Sequence, residues 1–359
     1  MSDSNLTTIV THFAIEGTVT DVAPLGGGLI NKTYRVTTAP QSAPDYVLQR
    51  INTSVFSDVD LLQRNIETVT AHIRSKLLAD GVKDIDRRVL RFVPSDMGGT
   101  WWRDEAGEYW RLMVFIPDAY TYDLVNPDYS RCAGRAFGAF ESMLSDLKTP
   151  LGETIPHFHD MPFRLHQLDD AIHADAVNRL HEVQDIVDEI RRRATYMCQA
   201  EDLHRQGLLP KRICHCDTKV NNMMFDAQGE VLCIIDLDTV MPGFIFSDYG
   251  DFLRTAANAT TEDDADLSHV GFRHDIYRAF TEGYLQGAAD FITPLEKELL
   301  PYATALFPYM QCVRFLTDYL NGDTYYRTLY PTHNLVRTRN QLRLLTCVEH
   351  ELELNTAAR

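Results

Sequence analysis

Residues 213–238 read ICHCDTKVNNMMFDAQGEVLCIIDLD, in which two apolar runs, 223–225 and 231–235, are parted by the polar residues 226–229. A short β-prone run, a turn carrying Gly229 and a second β-prone run fold most simply as an antiparallel hairpin. With the turn centred near Gln228, the returning strand brings Asp236 opposite residues 220–222, so a carboxylate and the amide of Asn222 converge. Hard cations such as Mg²⁺ take oxygen donors of this kind and fill the remaining positions with substrate phosphates and water. Asp217 lies upstream of Asn222 and is left for another task.

The spacing His215-x-Asp217-x-Lys219-x-x-Asn222 matches the loop H-R-D-L-x-x-x-N of phosphoryl-transfer enzymes at its His, Asp and Asn, with Cys216 in place of Arg. In that arrangement Asp217 orients and deprotonates an acceptor hydroxyl. Asn222 and Asp236 hold Mg²⁺ on the phosphates, and Lys219 offsets charge on the transferred group. A lone HxD is common by chance, and Asp or Asn at a strand end often only caps a turn. Weight comes from the polar residues falling in register ahead of a hairpin that ends in Ile234-Ile235-Asp236. His215 is expected to hold the loop through a hydrogen bond. Asp238 is either a second metal ligand or a solvated neighbour, and shares a side with Asp236 only if the strand continues.

The loop and its hairpin resemble the aminoglycoside phosphotransferase and choline kinase superfamily of small-molecule kinases, and within it most of all the N-acetylhexosamine 1-kinases. That resemblance implies an α/β (α+β) bilobal, protein-kinase-like fold with a small antiparallel-sheet N-lobe and a larger, mainly helical C-lobe. It further implies ATP and Mg²⁺ as cofactors and an N-acetylhexosamine as acceptor, phosphorylated at its anomeric hydroxyl.

Composition sets bounds on this reading. At 359 residues and 45% hydrophobic content the chain can bury two cores. No apolar run is long enough to span a bilayer, and the N-terminus lacks a signal-peptide pattern, so a cytoplasmic protein is expected. The cysteines are odd in number and scattered, which fits thiols better than disulfides. With 34 basic against 51 acidic residues, the net charge of -17 argues against nucleic acid or membrane surfaces as partners. A monomer or weak homodimer that meets only a sugar and ATP is expected.

From the N-terminus, residues 19–24 and 33–37 read as strands around the loop Gly26-Gly27-Gly28, where glycine lets backbone approach phosphate. Asn31 follows that loop as a further nucleotide-site candidate. Where the N-acetylhexosamine 1-kinases tend to read Gly-His-Ile-Asn, this chain has Gly28-Leu29-Ile30-Asn31, which weakens the sugar inference if that histidine contacts sugar. Residues 46–51 make a third strand, and 58–80 a helix with Leu62, Ile66, Val69, Ile73 and Leu77 on one face. Kinases place a Lys on the third strand, but none occurs here; Arg50, partnered by Glu67, is the candidate substitute, against a surface arginine. Residues 88–92 and 109–115 complete an expected five-stranded sheet, and the break at 116–119 sets the division into lobes 1–116 and 117–359.

Helices are expected over 128–147, 164–170, 175–205, 247–257, 273–286 and 294–306. Asp248 can buttress the catalytic loop, as a similar segment does in the superfamily, or serve its helix N-terminus. His157, His159 and Asp160 raise a second reading, a metal hydrolase, although the prolines around them favour a plain loop. In the last block, Arg314 and Asp318 stand four apart on a helix, either an ion pair or, with Asp323 and Asn334, a cluster for sugar hydroxyls and the acetamide. The nearby tyrosines, residues 319–330, would suit choline, and the acidic surface aminoglycosides. A catalytically silent ligand-binding protein is the reading from another class, supported only by the missing third-strand Lys.

Overall fold

The computed structural model describes residues 3–26, 30–122 and 125–356, with side chains from Leu6 onward. Along the chain come α1 (Asp3–Val10), β1 (Thr18–Pro24), β2 (Lys32–Ala39), β3 (Tyr46–Ile51), α2 (Val59–Ala79), β4 (Trp101–Arg103) and β5 (Tyr109–Val114). Then follow α3 (Pro127–Leu144), α4 (Met161–Ala174), α5 (Gln184–Met197), α6 (Gln199–Arg205), β6 (Arg212–Cys214), β7 (Met223–Phe225), β8 (Val231–Ile234) and β9 (Met241–Gly243). The chain closes with α7 (Phe246–Ala256), α8 (His274–Gly287), α9 (Pro294–Glu298), α10 (Leu300–Leu320) and α11 (His333–Glu351).

These elements group into two compact units. The first takes Met1–Thr121, Asp146–Pro156 and Met223–Met241; the second takes Tyr122–Ser145, His157–Asn222 and Pro242–Arg359. The β7–β8 hairpin and the segment before α4 therefore belong with the N-terminal sheet.

That sheet is antiparallel with strand order β1-β2-β3-β5-β4. One face closes over α1 through Val22, Val36, Tyr46, Leu48, Trp110 and Leu112, the alternation that a half-buried strand produces. In α2, Leu62, Ile66, Val69 and Ile73 are buried as their spacing predicts, and Asp58 caps the first turn by accepting from the Leu61 amide at 2.8 Å. The fifth strand is not the expected one. Residues 88–92 form only an isolated bridge from Phe92 to Met113, preceded by a 3₁₀ turn at Ile85–Arg87. Pro94 follows closely and has no amide to extend the pairing. Trp101–Arg103 takes the edge position instead, paired to β5 across the Asp104–Glu108 turn, where the Asp104 carboxylate accepts from the Glu108 amide.

The second unit is mainly helical around α10, whose residues are buried on nearly every side, as a central helix requires. The long helix expected over 175–205 is broken into a 3₁₀ turn at Leu180–Glu182, α5 and α6. The break begins where Asp175, in the left-handed region at φ 34°, caps α4 and accepts from the amides of Arg179 and Leu180. Helices α3 and α8 cross at glycines: a Cβ on Gly283 would stand 2.0 Å from the Arg131 carbonyl oxygen, and one on Gly134 2.2 Å from that of Phe280. Backbone cannot rotate out of the way as a side chain can, so Gly283→Ala is expected to destabilise the protein by about 1–3 kcal/mol despite alanine's better helix propensity. A urea midpoint that stays put or rises in Gly283→Ala would refute the close crossing. Among the described residues no helix is long and apolar enough to cross a membrane. Cys214, Cys216, Cys233 and Cys312 are buried thiols, none of them in a disulfide.

Candidate active site

In the second unit, β6 delivers the chain into the loop that carries Asp217. The loop reverses at Cys216, whose φ of 64° is unusual for a residue with a side chain. Asp248, in the first turn of α7, holds it there: its carboxylate accepts from the His215 amide at 2.8 Å and from the Cys216 amide at 2.7 Å, and its carbonyl accepts from Thr218 Oγ1. The buttress expected of Asp248 is thus formed. His215 is fully buried edge-on to Phe137 and Phe140, and its Nδ1 accepts from the Asp217 amide at 3.3 Å. The histidine holds the loop as expected.

Asp217 is held from two sides. Lys219 Nζ lies 2.6 Å from its Oδ1, and Asn222 Nδ2 donates to its carbonyl at 2.8 Å and approaches Oδ2 at 3.4 Å. With its nitrogen committed, Asn222 keeps the carbonyl oxygen Oδ1, the atom a hard cation would take. Burial acts to lower the Lys219 pKa, but the carboxylates of Asp217 and Asp251 outweigh it and raise it, so the ammonium stays charged. Asp251 is raised by burial and by Asp217, against the pull of Arg254.

Below the loop lies a group that the sequence did not single out. Glu141 of α3, Cys214 and Asp248 bring one oxygen or sulfur each within 4.8 Å of one another. The Tyr284 hydroxyl donates to Glu141, while both Asp248 oxygens are engaged by backbone amides. These commitments suit a shared proton better than a metal ion. Burial, then the Asp248 charge, pushes Glu141 well above the usual carboxyl range; burial raises Asp248 too, opposed by His215 and the two loop amides. A glutamate on an otherwise apolar helix face, residues 137–144, was the available signal.

In the first unit, β7 and β8 pair as the hairpin reading requires, Met223 with Ile234 and Met224 with Cys233. Asp226 accepts from the amides of Gln228 and Glu230 to form the turn. The strand stops at Ile234. Asp236 sits in the left-handed region at φ 61°, and a 3₁₀ turn follows at Leu237–Thr239, so strand alternation does not carry on to Asp238. Asp238 is buried, neither solvated nor open: Arg111 Nη1 approaches its Oδ1 at 2.6 Å as an ion pair without hydrogen-bond alignment, and Asn31 Nδ2 donates to its Oδ2 at 2.7 Å. Asn31 also accepts from the Asn52 amide.

Arg111 is the cation that sequence reasoning missed. It faces Gln49 of β3 in register, donates to Gln49 Oε1 at 2.8 and 3.0 Å, and reaches Gln63 of α2 at 3.2 Å. A lone charge inside the run YWRLMV was the signal, since a buried charge must find a partner. The pairing expected between Arg50 and Glu67 does not form. Adjacent strand residues face opposite ways, and Arg50 points to Glu108 at 3.1 Å while Glu67 accepts from Thr100 at 2.6 Å. Gly26 has a φ of 68° with open space about it; Gly27, Gly28 and Leu29 lie outside the described residues.

The block around α10 divides. Asp318 does not pair with Arg314. Its carboxylate accepts from the amides of Thr324, Tyr325 and Tyr326 and from Asn334 Nδ2, while Asp323 holds Arg179 at 2.7 Å and Asn334 at 2.9 Å. Those three staple the 323–326 turn to α11. Arg314 instead lies over the Phe158 and Tyr326 rings at 5.1 and 5.7 Å. His157 meets Asp160 at 2.9 Å, but His159 turns to Ser247 Oγ, and Asp160 caps α4, so the three do not gather round one point.

A strained Asp-bearing loop on a helical unit, with a five-stranded antiparallel sheet in the other unit, is the architecture of small-molecule kinases. Solved structures share it across nearly the whole chain. An aminoglycoside phosphotransferase from Alicyclobacillus acidocaldarius aligns at a TM-score of 0.62 with 12% identity over 96% of each chain. A choline/ethanolamine kinase family protein from Mesorhizobium loti aligns at 0.56 with 16% identity, covering 99% of this chain and 97% of that one. An amicoumacin kinase solved with AMP-PNP and Ca²⁺ aligns at 0.57 with 15% identity, covering 96% and 94%. Residues 21–288 match the model of the phosphotransferase enzyme family. The chain belongs to that family.

Proposed function

We propose that this phosphotransferase moves the γ-phosphoryl of ATP to the anomeric hydroxyl of an N-acetylhexosamine, giving the sugar 1-phosphate. The observation that carries the kinase reading is the hold on Asp217 by Lys219 and Asn222 in a loop braced by Asp248. Asp217 takes the hydroxyl proton as the acceptor oxygen attacks phosphorus, and Lys219 offsets the charge that builds on the transferred group. Asn222, through its Oδ1, and Asp236 are the residues proposed to offer oxygen to Mg²⁺. Bound there, Mg²⁺ neutralises charge on the phosphates. Gly26, Gly27 and Gly28 cradle the nucleotide, with Asn31 anchoring the end of their loop to Asp238. Arg111, ringed by β3, α2 and Asp238, is the buried cation of this sheet, where the Arg50–Glu67 pair does not form.

The anomeric acceptor rests on family resemblance, with Arg314 as the sugar contact; Asp318, Asp323 and Asn334 shape the wall behind it. Choline is less favoured because two of the tyrosine faces already carry cations: Arg179 lies 4.4 Å over Tyr319, and Arg314 over Tyr326. An ADP-release panel of N-acetylglucosamine, N-acetylgalactosamine, glucose, galactose, choline and kanamycin tests the assignment. Among these six, the free N-acetylhexosamines are expected to react best. Methyl glycosides that react as well as free sugars would end the 1-kinase reading. Asp236→Ala is expected to abolish the Mg²⁺-dependent part of ATP binding in calorimetry, and retention of that part would remove Asp236 from the metal site.

A further inference from the structure

In the second unit, two arginines converge with no acid between them. Arg164 of α4 donates to the Phe158 carbonyl at 2.9 and 3.2 Å and to Gln167 at 2.7 Å. Arg314 of α10 lies over the ring of the same Phe158 and donates only to Gln311, at 3.2 Å. Two half-buried guanidinium groups thus converge on one residue, and among the described residues neither has a carboxylate partner. Asp160, four residues before Arg164, spends its oxygens on His157 and the Phe163 amide. This happens in a chain with 51 acidic residues against 34 basic ones.

Arg164 stays charged. Burial, then the neighbouring Arg314, lowers the Arg164 pKa only to about 10. His159 adds no third positive charge: burial and the fields of Arg314, Arg164 and Arg254 hold it well below its usual pKa, and its Nδ1 is bonded to Ser247. Two like charges side by side, each with N–H groups to spare, suit an anion that both can fork onto. The pair flanks the segment that leads to the catalytic loop: His159, next to the Phe158 they share, bonds Ser247, and the adjoining Asp248 holds the His215 and Cys216 amides.

We propose that Arg164 and Arg314 form an anion subsite for a carboxylate or phosphate group carried by the acceptor. This deepens the kinase reading and rests on it: the acceptor is an acidic sugar, and neutral hexosamines are its poorer analogues. Initial rates would be compared within matched pairs, N-acetylglucosamine with its 6-phosphate for phosphate, and glucose with glucuronic acid for carboxylate, each also as the methyl glycoside. At least one acidic member is expected to show kcat/KM about tenfold or more above its neutral partner, a difference that a single well-placed charged contact supplies. Whichever pair shows it identifies the anion. Arg164→Gln and Arg314→Gln should bring that ratio near one, and Arg314→Lys should retain part of it.

Sulfate gives a readout without turnover. It should raise the melting temperature of the wild type more than chloride at equal ionic strength, and this excess should shrink in both glutamine variants. A wild-type ratio at or below one in both pairs, or a ratio and sulfate effect indifferent to both variants, overturns the subsite. Should none of these sugars react, the sulfate comparison alone decides. The anomeric assignment fails separately, through reactive methyl glycosides, whatever the acid-to-neutral ratio.

Discussion

Asp217→Asn is expected to lower kcat by about two orders of magnitude or more while leaving ATP affinity nearly unchanged. The substitution keeps the shape of the side chain and an oxygen for Asn222 Nδ2, so the loop braced by Asp248 has no reason to move. It removes the proton acceptor and the ion pair to Lys219 at 2.6 Å. Steady-state ADP release measures the first effect and calorimetry with ATP the second. Wild-type turnover would remove Asp217 from the chemistry, whereas an equal loss in ATP affinity would make it a nucleotide or metal ligand.

How much of this was legible before the structure follows from the range of the interactions involved. The β7–β8 hairpin and the α2 face depend on residues close in sequence, so spacing and turn chemistry reveal them. The Asp217 loop is similar, because Lys219 and Asn222 lie within five residues of the group they hold. Residues 88–92 misled because an apolar run looks the same whether it pairs along its length or at one bridge. Trp101–Arg103 was too short to register as a strand. The Glu141 proton and the Arg111 hub need partners 107 and 127 residues away, and no local pattern encodes such a distance. What sequence offered there was only the anomaly of a charge in an apolar run. Asp318 shows the converse: its spacing from Arg314 suggested a helix-surface pair, yet the helix is buried, and the carboxylate serves three backbone amides of the following turn instead.

The other large effect is expected at Arg111, and there it should appear first as stability. Its guanidinium is 2% exposed and the Asp238 carboxylate 4%, so neither charge can fall back on water. Arg111→Met leaves Asp238 buried with Asn31 as its remaining side-chain partner, a change of about 3–5 kcal/mol for a buried pair broken on one side. A urea denaturation series reads it directly. Arg111→Lys should recover only part, since a point charge cannot reach Asp238, Gln49 and Gln63 together as the planar fork does. Arg111→Met combined with Asp238→Leu should be more stable than Arg111→Met alone, because no orphaned carboxylate remains. The functional consequence runs through the backbone: Asp238 fixes the 3₁₀ turn that begins beside Asp236, so Arg111→Lys should need a higher Mg²⁺ concentration for half-maximal rate while its saturated kcat changes less. A loss of under about 1 kcal/mol in Arg111→Met would mean that the pair is screened like a surface bridge, and the hub would then carry neither the stability nor the metal site.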